Sequence, residues 1–390
     1  MGESINASVQ FALNADQSAI RDMARSFAAE KIAPFAVAWD RDHHFPVDVL
    51  RESAGLGMAS IYVREESGGA GLARLDAALI FEALAEGCPS IAAYLSVHNM
   101  CTWMVDTFGS EEQRQRWLPK LTRMDVLASY CLTEPGSGSD AAALKTRAVR
   151  DGDHYVIDGR KQFISGAGTD DDFYIAMVRT GGEGPSGISA IVVEGGTAGL
   201  SFGPDERKMG WHTQPTRAVI FENCRVPAAN RLGTEGEGFK FAMRGLDGGR
   251  LNIAACSLGG AQSAFDKALA YMRERKAFGK RLDEFQALQF RLADMAIDLE
   301  AARSLLWRAA AALDAGDPQA SKLCAMTKRF VTDAGFTVAN QALQLHGGYG
   351  YLADYGIEKI VRDLRVHQIL EGTNEIMRLI VARHLLKDSQ

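Results

Sequence analysis

The sequence predicts an α+β fold in which a helical N-terminal domain, a central antiparallel β domain and a C-terminal four-helix bundle domain follow one another. Three observations support this prediction. Residues 1–126 contain segments with the apolar spacing of helices, residues 127–236 contain short β-rich runs, and residues 237–390 return to long helical patterns. These limits are the predicted domain boundaries. Because helices and strands are segregated along the chain, the pattern argues against a doubly wound nucleotide-binding fold.

The N-terminal block opens with a helix-start signal. Asn14 and Gln17 have the spacing of a capping box, and apolar residues follow them at helical intervals. Further helices are predicted at 75–85, 91–108 and 111–121, separated by a glycine-rich loop and by a proline. The whole block is therefore predicted to be helical.

The central and C-terminal blocks differ in the length of their apolar patterns. In the central block, short runs of β-branched and aromatic residues are separated by Asp-Gly turns, which is typical of antiparallel strands. The C-terminal block contains long stretches with helical spacing. The predicted strands lie at 155–157, 173–178, 188–193 and 218–221, and the predicted helices at 239–276, 284–315, 318–346 and 373–387.

Composition limits the classes of partner. The chain of 390 residues is 47% hydrophobic, which suits a large buried core, and its formal net charge of −6 argues against a nucleic-acid or anionic-membrane binder. The six cysteines are scattered without metal-ligand spacing, so we expect reduced, buried thiols and no metal site. The N-terminus lacks the pattern of a signal or transit peptide, and Asn6 stands where a myristoylation signal needs serine or threonine. The most apolar run, 188–193, is too short to span a bilayer. We therefore expect a cytosolic, bacterial protein without membrane insertion.

The stretch from Tyr130 to Asp140 runs from an apolar strand into a turn rich in glycine, serine and proline. Gly136 and Gly138 permit a close backbone approach to an anion, and the hydroxyl groups of Thr133 and Ser139 can hydrogen-bond a cofactor. An ordinary loop between strands is the alternative interpretation. The stretch is not a dinucleotide fingerprint, because no βαβ pattern surrounds it.

Two further stretches offer an aromatic ring and a cluster of positive charge. In Gln162 to Gly168, Phe163 could cover a flat ring and Ser165 could hydrogen-bond its edge, although local evidence alone favours a core aromatic. In Arg273 to Arg281, the guanidinium of Arg275 could grip a pyrophosphate, whereas a solvated helix end is the simpler interpretation.

The last two stretches lie near the C-terminus. Gln344 to Tyr351 contains three glycines at the end of a long apolar pattern, and a helix cap accounts for only one of them. In Gln368 to Met377, Glu371 lies between apolar residues and a helix that Thr373 can cap. Partial desolvation would raise the pKa of Glu371 and make it a stronger base, although a surface carboxylate is the commoner case.

Taken in this order across the whole chain, the five stretches resemble the acyl-CoA dehydrogenase family, whose fold has the same succession of helical, β and helical domains. The resemblance implies an acyl-CoA substrate, FAD bound between the β domain and the C-terminal helices, and an electron-transferring flavoprotein as electron acceptor. It also implies a homotetramer built as a dimer of dimers.

The resemblance further implies which residues contact the ligands. Arg275 matches the arginine that meets the FAD pyrophosphate, while Phe285, Gln286 and the stretch from Gln344 to Gly348 match residues that reach the FAD of a neighbouring subunit. The positions matched to FAD contacts are Tyr130, Cys131, Leu132, Thr133, Ser139, Phe163, Ile164, Ser165, Arg275, Phe278, Phe285, Gln286, Gln344, Gly347, Gly348, Thr373 and Glu375, and those matched to the thioester substrate are Ser139, Asp247, Arg250, Gly372 and Arg383.

The resemblance assigns the catalytic base to Glu371. Some branches of the family place the base instead on the helix that matches Asp247 to Arg250, but that position is Gly249 in this sequence, and glycine cannot remove a proton. The expected reaction is removal of the substrate α-proton by Glu371 and transfer of the β-hydrogen to FAD as hydride, with the thioester carbonyl hydrogen-bonded as enolate charge develops.

Several stretches resemble the branch of the family that oxidises isobutyryl-CoA to methacrylyl-CoA in valine breakdown, among them Gly210 to Phe221 and Arg244 to Arg250. One departure is Thr373, where this branch would have serine. We hypothesise that Gly248 and Gly249 leave room for the α-methyl group of a branched substrate. The alternatives are a 2-methylbutyryl-CoA or butyryl-CoA dehydrogenase, an acyl-CoA oxidase, or a non-catalytic CoA-binding protein that kept the fold.

Overall fold

The computed structural model describes residues 12–169 and 172–387. The start of the N-terminus, including Met1 to Asn6 on which the expectation about lipidation rests, lies outside this part of the chain. The predicted succession of helical, β and helical blocks is confirmed: helices extend to Leu121, strands begin at Leu127, and long helices resume at Gly238. The limits of the domains themselves stay a prediction.

The N-terminal block is helical, as predicted. Its first helix begins with the predicted capping box, in which the Gln17 N–H donates to Asn14 Oδ1 at 2.8 Å and the Asn14 N–H donates to Gln17 Oε1 at 3.2 Å. The helices are α1 (Ala15–Phe27), α2 (Ala36–Asp42), α3 (Val47–Ala54), α4 (Arg74–Gly87), α5 (Pro89–Phe108) and α6 (Glu111–Leu121). Of these, α4 and α5 are buried on nearly all sides, because the C-terminal helices and the sheet pack against them.

The central block is one mixed sheet with a short edge strand at each end. Its strands are β1 (Leu127–Cys131), β2 (Arg147–Asp151), β3 (His154–Ser165), β4 (Asp172–Arg179), β5 (Ile188–Glu194), β6 (Leu200–Phe202), β7 (Thr216–Pro227) and β8 (Arg231–Leu232). They run in the order β6-β7-β3-β2-β4-β5-β8, and β1 pairs with β4.

The expectation of a purely antiparallel sheet is corrected at β4. Strand β1 pairs with β4 in parallel, with Leu127 opposite Asp172, and one residue pair joins β2 and β4 in the same sense. A parallel pair needs a long connection, and here β2 and β3 lie between the two strands in the sequence. Local pattern does not encode this pairing. Strand β4 is buried along almost its whole length, which explains its continuous apolar run.

The C-terminal block contains α7 (Gly238–Glu274), the short strands β9 (Lys276–Ala277) and β10 (Lys280–Arg281), α8 (Gln286–Asp314), α9 (Ala320–His346), α10 (Ile357–Arg365) and α11 (Asn374–Lys387). Helix α10 was not predicted, and α7 ends two residues before the predicted position because the chain turns into the β9–β10 hairpin. Helix α9 packs against α7, α8 and α11, and α7 also packs against α4. Small residues on α7, such as Gly259 beside the Glu82 carbonyl, permit this close approach.

Within residues 12–169 and 172–387, no helix is both long and apolar enough to cross a bilayer. In the same ranges, no group of three or more His, Cys, Asp or Glu side chains is arranged to hold a metal ion. The six cysteines are free and buried, as expected from their scattered positions.

Candidate active site

Glu371 lies in the short loop that joins α10 to α11. Its backbone φ is +55° and that of Gly372 is +89°, so two successive residues adopt the left-handed region. A glutamate in this region costs about 1 kcal/mol or more, and such strain persists only where the surrounding structure holds it. The predicted cap is present, since Ile376 N–H donates to Thr373 Oγ1 at 3.4 Å. The loop therefore presents the Glu371 side chain in one fixed direction.

One oxygen of the Glu371 carboxyl group is removed from water, although the residue as a whole is only half-buried. Its Oε2 atom is buried and has no hydrogen-bond partner among the described residues. Burial raises the pKa of Glu371 to about 7, while the positive charges of Arg250 and Lys328 oppose this rise. A carboxyl group with such a pKa is partly ionised near neutral pH, and its ionised form is a stronger base than an exposed carboxylate.

The space beside Gly249 is filled by Glu371. A Cβ atom on Gly249 would lie 2.6 Å from Glu371 Oε2, and a Cβ on Gly248 would collide with the guanidinium of Arg74. The two glycines of α7 therefore make room for a carboxylate and a guanidinium of the protein itself. The hypothesis that they leave open space for a substrate methyl group has no support in this geometry.

Neutral polar groups surround the carboxylate on the side of α5 and β1. Burial raises the pKa of both Tyr130 and Cys101, and the negative charge of Glu371 contributes to each rise. The Tyr130 hydroxyl is buried and has no partner among the described residues. Because the Tyr130 phenol and the Cys101 thiol are uncharged, they do not lower the pKa of Glu371, which stays raised by burial.

The predicted substrate residues fall into different environments. Arg250 is buried and pairs with Asp247 one turn earlier on α7 at 2.6 Å, and Ser321 donates to the same Asp247. Gly372 belongs to the Glu371 loop, whereas Arg383 lies exposed on α11 and Ser139 is exposed in the turn after β1. The structure therefore brings Arg250 and Gly372 to Glu371, but in the described residues no hydrogen bond or ion pair joins Arg383 to this group.

The loop after β1 is attached to β3. Gln162 N–H donates to the Thr133 carbonyl at 2.8 Å, and the buried Lys161 ammonium donates to the Leu132 carbonyl at 3.1 Å and to Glu134 Oε1 at 2.8 Å. The Glu134 side chain also accepts from the backbone N–H groups of Lys145 and Thr146, just before β2. These bonds fix the predicted cofactor residues from Tyr130 to Thr133, while the glycines that follow remain open to approach.

Phe163 is not the core aromatic residue that its local motif favours. The register between β3 and β7 shifts between Lys161 and Ile164, and this bulge gives Phe163 a φ of +61° and turns its ring outward, where it is 64% exposed. Ile164 keeps the buried position. Ser165, at the end of β3, is half-buried.

A second group of predicted cofactor residues lines an open groove of about 610 Å³ at the ends of α7 and α9. Arg275, Gln344, Gly347 and Gly348 share this groove, and the Arg275 guanidinium lies 5.4 Å from the Tyr349 ring centroid. Gly347 closes α9 with a φ of +61°, as its cap position requires. The groove brings together residues that the resemblance had assigned to the FAD sites of different subunits.

The segment from the hairpin after α7 to the start of α8 carries three more predicted residues. Phe278 stands at the hairpin tip with a φ of +51°, and 95% of this residue is exposed. Its ring lies 6.4 Å from that of Phe285, which precedes α8, and Gln286 begins the helix with an exposed side chain. Thr373 and Glu375 lie at the start of α11, beside the Glu371 loop, and Glu375 is exposed.

Two neighbours of Glu371, Lys328 and Cys101, lie outside the stretches that the sequence pattern singled out. Lys328 lies four residues after Cys324 and three before Val331, on the buried stripe of α9, and it is fully buried. A lysine at a position with core spacing is rare, and this spacing is the signal that could have identified it. Cys101 lies on α5, which is buried on nearly all sides, so its sequence context does not separate it from ordinary core residues.

Comparison with known proteins agrees with this arrangement. Family models of the acyl-CoA dehydrogenase N-terminal, middle and C-terminal domains match residues 14–125, 129–224 and 236–386. The mitochondrial isobutyryl-CoA dehydrogenase of Bos taurus is 56% identical over 376 residues, which cover 96% of this chain and 90% of the relative.

Solved structures show the same fold. A chain of the structure described as the electron transferring flavoprotein of Acidaminococcus fermentans is 41% identical, with a TM-score of 0.94 over 96% of this chain and 99% of that one. The structure of PigA with FAD and proline is 29% identical, with a TM-score of 0.92 over 96% of this chain and 98% of that one. The chain belongs to the acyl-CoA dehydrogenase family of enzymes.

Proposed function

We propose that this enzyme oxidises a short branched acyl-CoA, with isobutyryl-CoA as substrate and methacrylyl-CoA as product, in the breakdown of valine. The buried Glu371 carboxylate carries the proposal, because it combines a pKa of about 7 with an oxygen that has no hydrogen-bond partner among the described residues. The choice of acyl group is supported by the 56% identity to a relative named isobutyryl-CoA dehydrogenase.

The chain supplies the base and its surroundings. We propose that the ionised Glu371 accepts the α-proton of the thioester, and that its backbone N–H donates to the thioester carbonyl as negative charge develops there. The carboxyl group is partly ionised before the reaction, and its ionised form gains a proton in this step. Burial therefore favours the protonated carboxyl that the step produces, and it also makes the carboxylate a stronger base. The Arg250 and Lys328 charges keep the carboxyl ionisable despite its burial.

The residues present fit FAD as the cofactor. An exposed Phe163 ring, the neighbouring Ser165 and the buried, unpartnered Tyr130 hydroxyl offer a stacking surface and hydrogen bonds on the side of the β domain. PigA, a structural neighbour, contains FAD. When bound, FAD would supply the two-electron acceptor for the hydride that leaves the substrate β-carbon.

The second group of predicted cofactor residues supports an oligomer. Arg275 shares its groove with Gln344 to Gly348, and the exposed Phe278 projects from the adjacent hairpin. We propose that Arg275 acts together with these residues on the FAD of a neighbouring subunit, in a homotetramer built from dimers. The guanidinium would then meet the pyrophosphate from across the subunit boundary.

We propose an electron-transferring flavoprotein as the electron acceptor and the cytosol as the compartment. The likeness to a chain of the Acidaminococcus fermentans structure supports the acceptor. The Bos taurus relative is a mitochondrial protein, so the compartment rests on the sequence expectation alone. Peroxide formation in the absence of any other acceptor would favour the oxidase alternative, and a colourless protein without FAD would favour the non-catalytic one.

The function is tested by kcat/KM values for isobutyryl-, 2-methylbutyryl- and butyryl-CoA with a ferrocenium acceptor. We expect the highest value for isobutyryl-CoA, and a single methylene difference is worth about 10- to 200-fold in such discrimination. We expect Glu371→Gln to lower kcat by about 10²- to 10⁴-fold with FAD retained, since this is the range that a general base contributes. Glu112→Gln, an exposed glutamate on α6, serves as the matched control. Near-normal turnover by Glu371→Gln would refute the assigned mechanism.

A further inference from the structure

Lys328 is a fully buried lysine that contacts the loop of the catalytic base. It lies in the middle of α9, and its ammonium group donates to the Gly372 carbonyl at 2.8 Å and to Asn374 Oδ1 at 3.0 Å. Gly372 follows Glu371 directly, and Asn374 begins α11. Burying an ammonium group costs several kcal/mol unless other interactions compensate it, so its position here requires an explanation.

The bonds of Lys328 belong to a network that attaches the Glu371 loop to α9. The Asn374 side chain also donates to Thr332 Oγ1 at 3.0 Å and to Asp333 Oδ1 at 2.6 Å, while Gln368 Nε2 donates to the same Asp333 oxygen at 2.8 Å. Residues on both sides of Glu371 are therefore held by one helix. This attachment can maintain the left-handed backbone that Glu371 adopts.

Lys328 also brings a positive charge to the base. Both of its hydrogen-bond partners are uncharged oxygens, so these bonds leave its charge unneutralised. The other cation that acts on Glu371 is Arg250, which is paired with Asp247. Tyr130 and Cys101 face Glu371 as neutral groups, since burial raises the pKa of both.

Burial and several charged groups set the pKa of Lys328 itself. Burial lowers the pKa of Lys328 to about 8, the negative charges of Glu371, Asp333 and Glu375 oppose this change, and the charge of Arg250 adds to it. The charge of Lys328 in turn contributes to the lowered pKa of the buried His367, which is set mainly by desolvation. At pH 7 the ammonium form therefore predominates beside a neutral imidazole.

We infer that Lys328 is a positioning residue for the catalytic base, whose ammonium group both fixes the loop that carries Glu371 and places a positive charge next to the ionised carboxylate. The inference rests on the proposed function, because it assigns Lys328 a role in the same proton transfer. Lys328 acts through Glu371 and the loop, and it needs no contact with the substrate. A buried lysine that served packing alone would not change how Glu371 titrates.

The sign of the pH effect follows from the charges. A positive charge stabilises the ionised carboxylate, so its removal raises the pKa of Glu371 further above its ordinary value. The base must be ionised to act, and kcat/KM reports the ionisation of the free enzyme. The acidic limb of the kcat/KM profile, expected near pH 7 from the pKa of Glu371, should therefore move to higher pH when the Lys328 charge is lost.

The test compares four variants of the FAD-loaded enzyme over about pH 5.5 to 9, a range that extends below the limb and above its expected shifted position. For Lys328→Met and Lys328→Gln we expect the acidic limb to rise by about one pH unit, the low end of the effect of a neighbouring opposite charge, with kcat/KM at pH 6 reduced about tenfold. Lys328→Arg keeps the charge and should leave the limb near its original pH. Thr332→Val is the matched control, since it removes a hydrogen bond to Asn374 without changing any charge, and we expect its limb to be unmoved.

Lys328→Gln is included in case Lys328→Met misfolds, because it keeps a polar side chain in the buried position. The flavin absorbance of each variant shows that the cofactor is bound. An unmoved limb in the Lys328→Gln and Lys328→Met enzymes would overturn the inference, even if their melting temperatures fell. A limb that moved equally in Thr332→Val would overturn it too. Failure of the proposed function is a separate result, since it would appear as turnover that survives Glu371→Gln.

Discussion

The Glu371 carboxyl group shows how a single residue can oppose stability for the sake of chemistry. Burial raises its pKa from an ordinary value near 4.5 to about 7, so between these pH values the folded protein binds a proton that the unfolded chain has released. By linkage, the contribution of this group to stability falls as the pH rises through that window and stays low above pH 7. The same burial gives the base its strength toward a carbon acid.

Gly249 is the second residue on which the site depends. We predict that Gly249→Ala lowers kcat by about 100-fold for straight and branched substrates alike, because the added Cβ would lie 2.6 Å from Glu371 Oε2 and 3.0 Å from its Cδ. A displacement of the base by about 1 Å can cost that much. Steady-state kcat for isobutyryl- and butyryl-CoA measures the effect.

Gly245→Ala is the control for this substitution. Gly245 lies one turn earlier on α7, and a Cβ there would make ordinary contacts with Met100 and Met104, the nearest at 3.5 Å. We expect it to keep kcat within a few-fold of the parent enzyme. If Gly249→Ala lost activity only toward isobutyryl-CoA, the glycine would instead be reserving room for the substrate methyl group.

At the scale of single elements, the sequence predicts what depends on neighbours along the chain. The Asn14–Gln17 capping box forms as predicted, because its partners are three residues apart. Phe163 does not follow its local pattern, since the bulge that turns it outward arises from the pairing of β3 with β7, which lies more than fifty residues away. The parallel pairing of β1 with β4 is equally non-local, and no alternation of residues in β1 reveals it.

The junction between β1 and β3 depends on a buried ion pair. We predict that Lys161→Met lowers the free energy of unfolding by about 3–5 kcal/mol, because it leaves Glu134 buried without its counter-charge. It also removes the bond to the Leu132 carbonyl, so FAD binding should weaken. Urea unfolding and flavin titration measure the two effects.

The double variant Lys161→Met with Glu134→Gln tests whether the unpaired charge causes the loss. Its stability should exceed that of Lys161→Met, because the remaining side chain is neutral and its amide oxygen can still accept from the backbone N–H of Lys145 or of Thr146, which in the parent protein donate to different oxygens of Glu134. Lys120→Met, an exposed lysine on α6, is the control for the loss of a lysine as such. Equal stability of the double and single variants would contradict the explanation.

At the scale of the whole molecule, the candidate site is assembled from all three blocks. Cys101 comes from the N-terminal helices, Tyr130 from the first strand, and Gly249 and Lys328 from two C-terminal helices. Each lies far from Glu371 in the sequence, and none is next to another. The resemblance of ordered motifs therefore predicted the base and the cofactor residues, whereas the two neighbours that it did not cover, Cys101 and Lys328, required the tertiary fold.

The exposed apolar residues of the C-terminal block indicate a subunit interface. Phe290 and Ile297 lie two turns apart on one face of α8 and are 60% and 64% exposed, and Leu386 on α11 is 71% exposed. Together with Phe278 at the hairpin tip, they leave more exposed apolar surface on the C-terminal block than a lone chain needs. The proposed tetramer would cover it.

We predict that Ile297→Glu converts the proposed tetramer into a smaller species, because a charge buried at an apolar interface without a partner costs several kcal/mol. Light scattering at matched concentrations measures the assembly, and the ratio of flavin to protein absorbance measures bound FAD. If Arg275 and the groove from Gln344 to Gly348 contact the FAD of a neighbouring subunit, the smaller species should also lose FAD. A dissociated variant that kept its full complement of FAD would show that each chain binds the cofactor alone, and an intact tetramer would place the interface on another face.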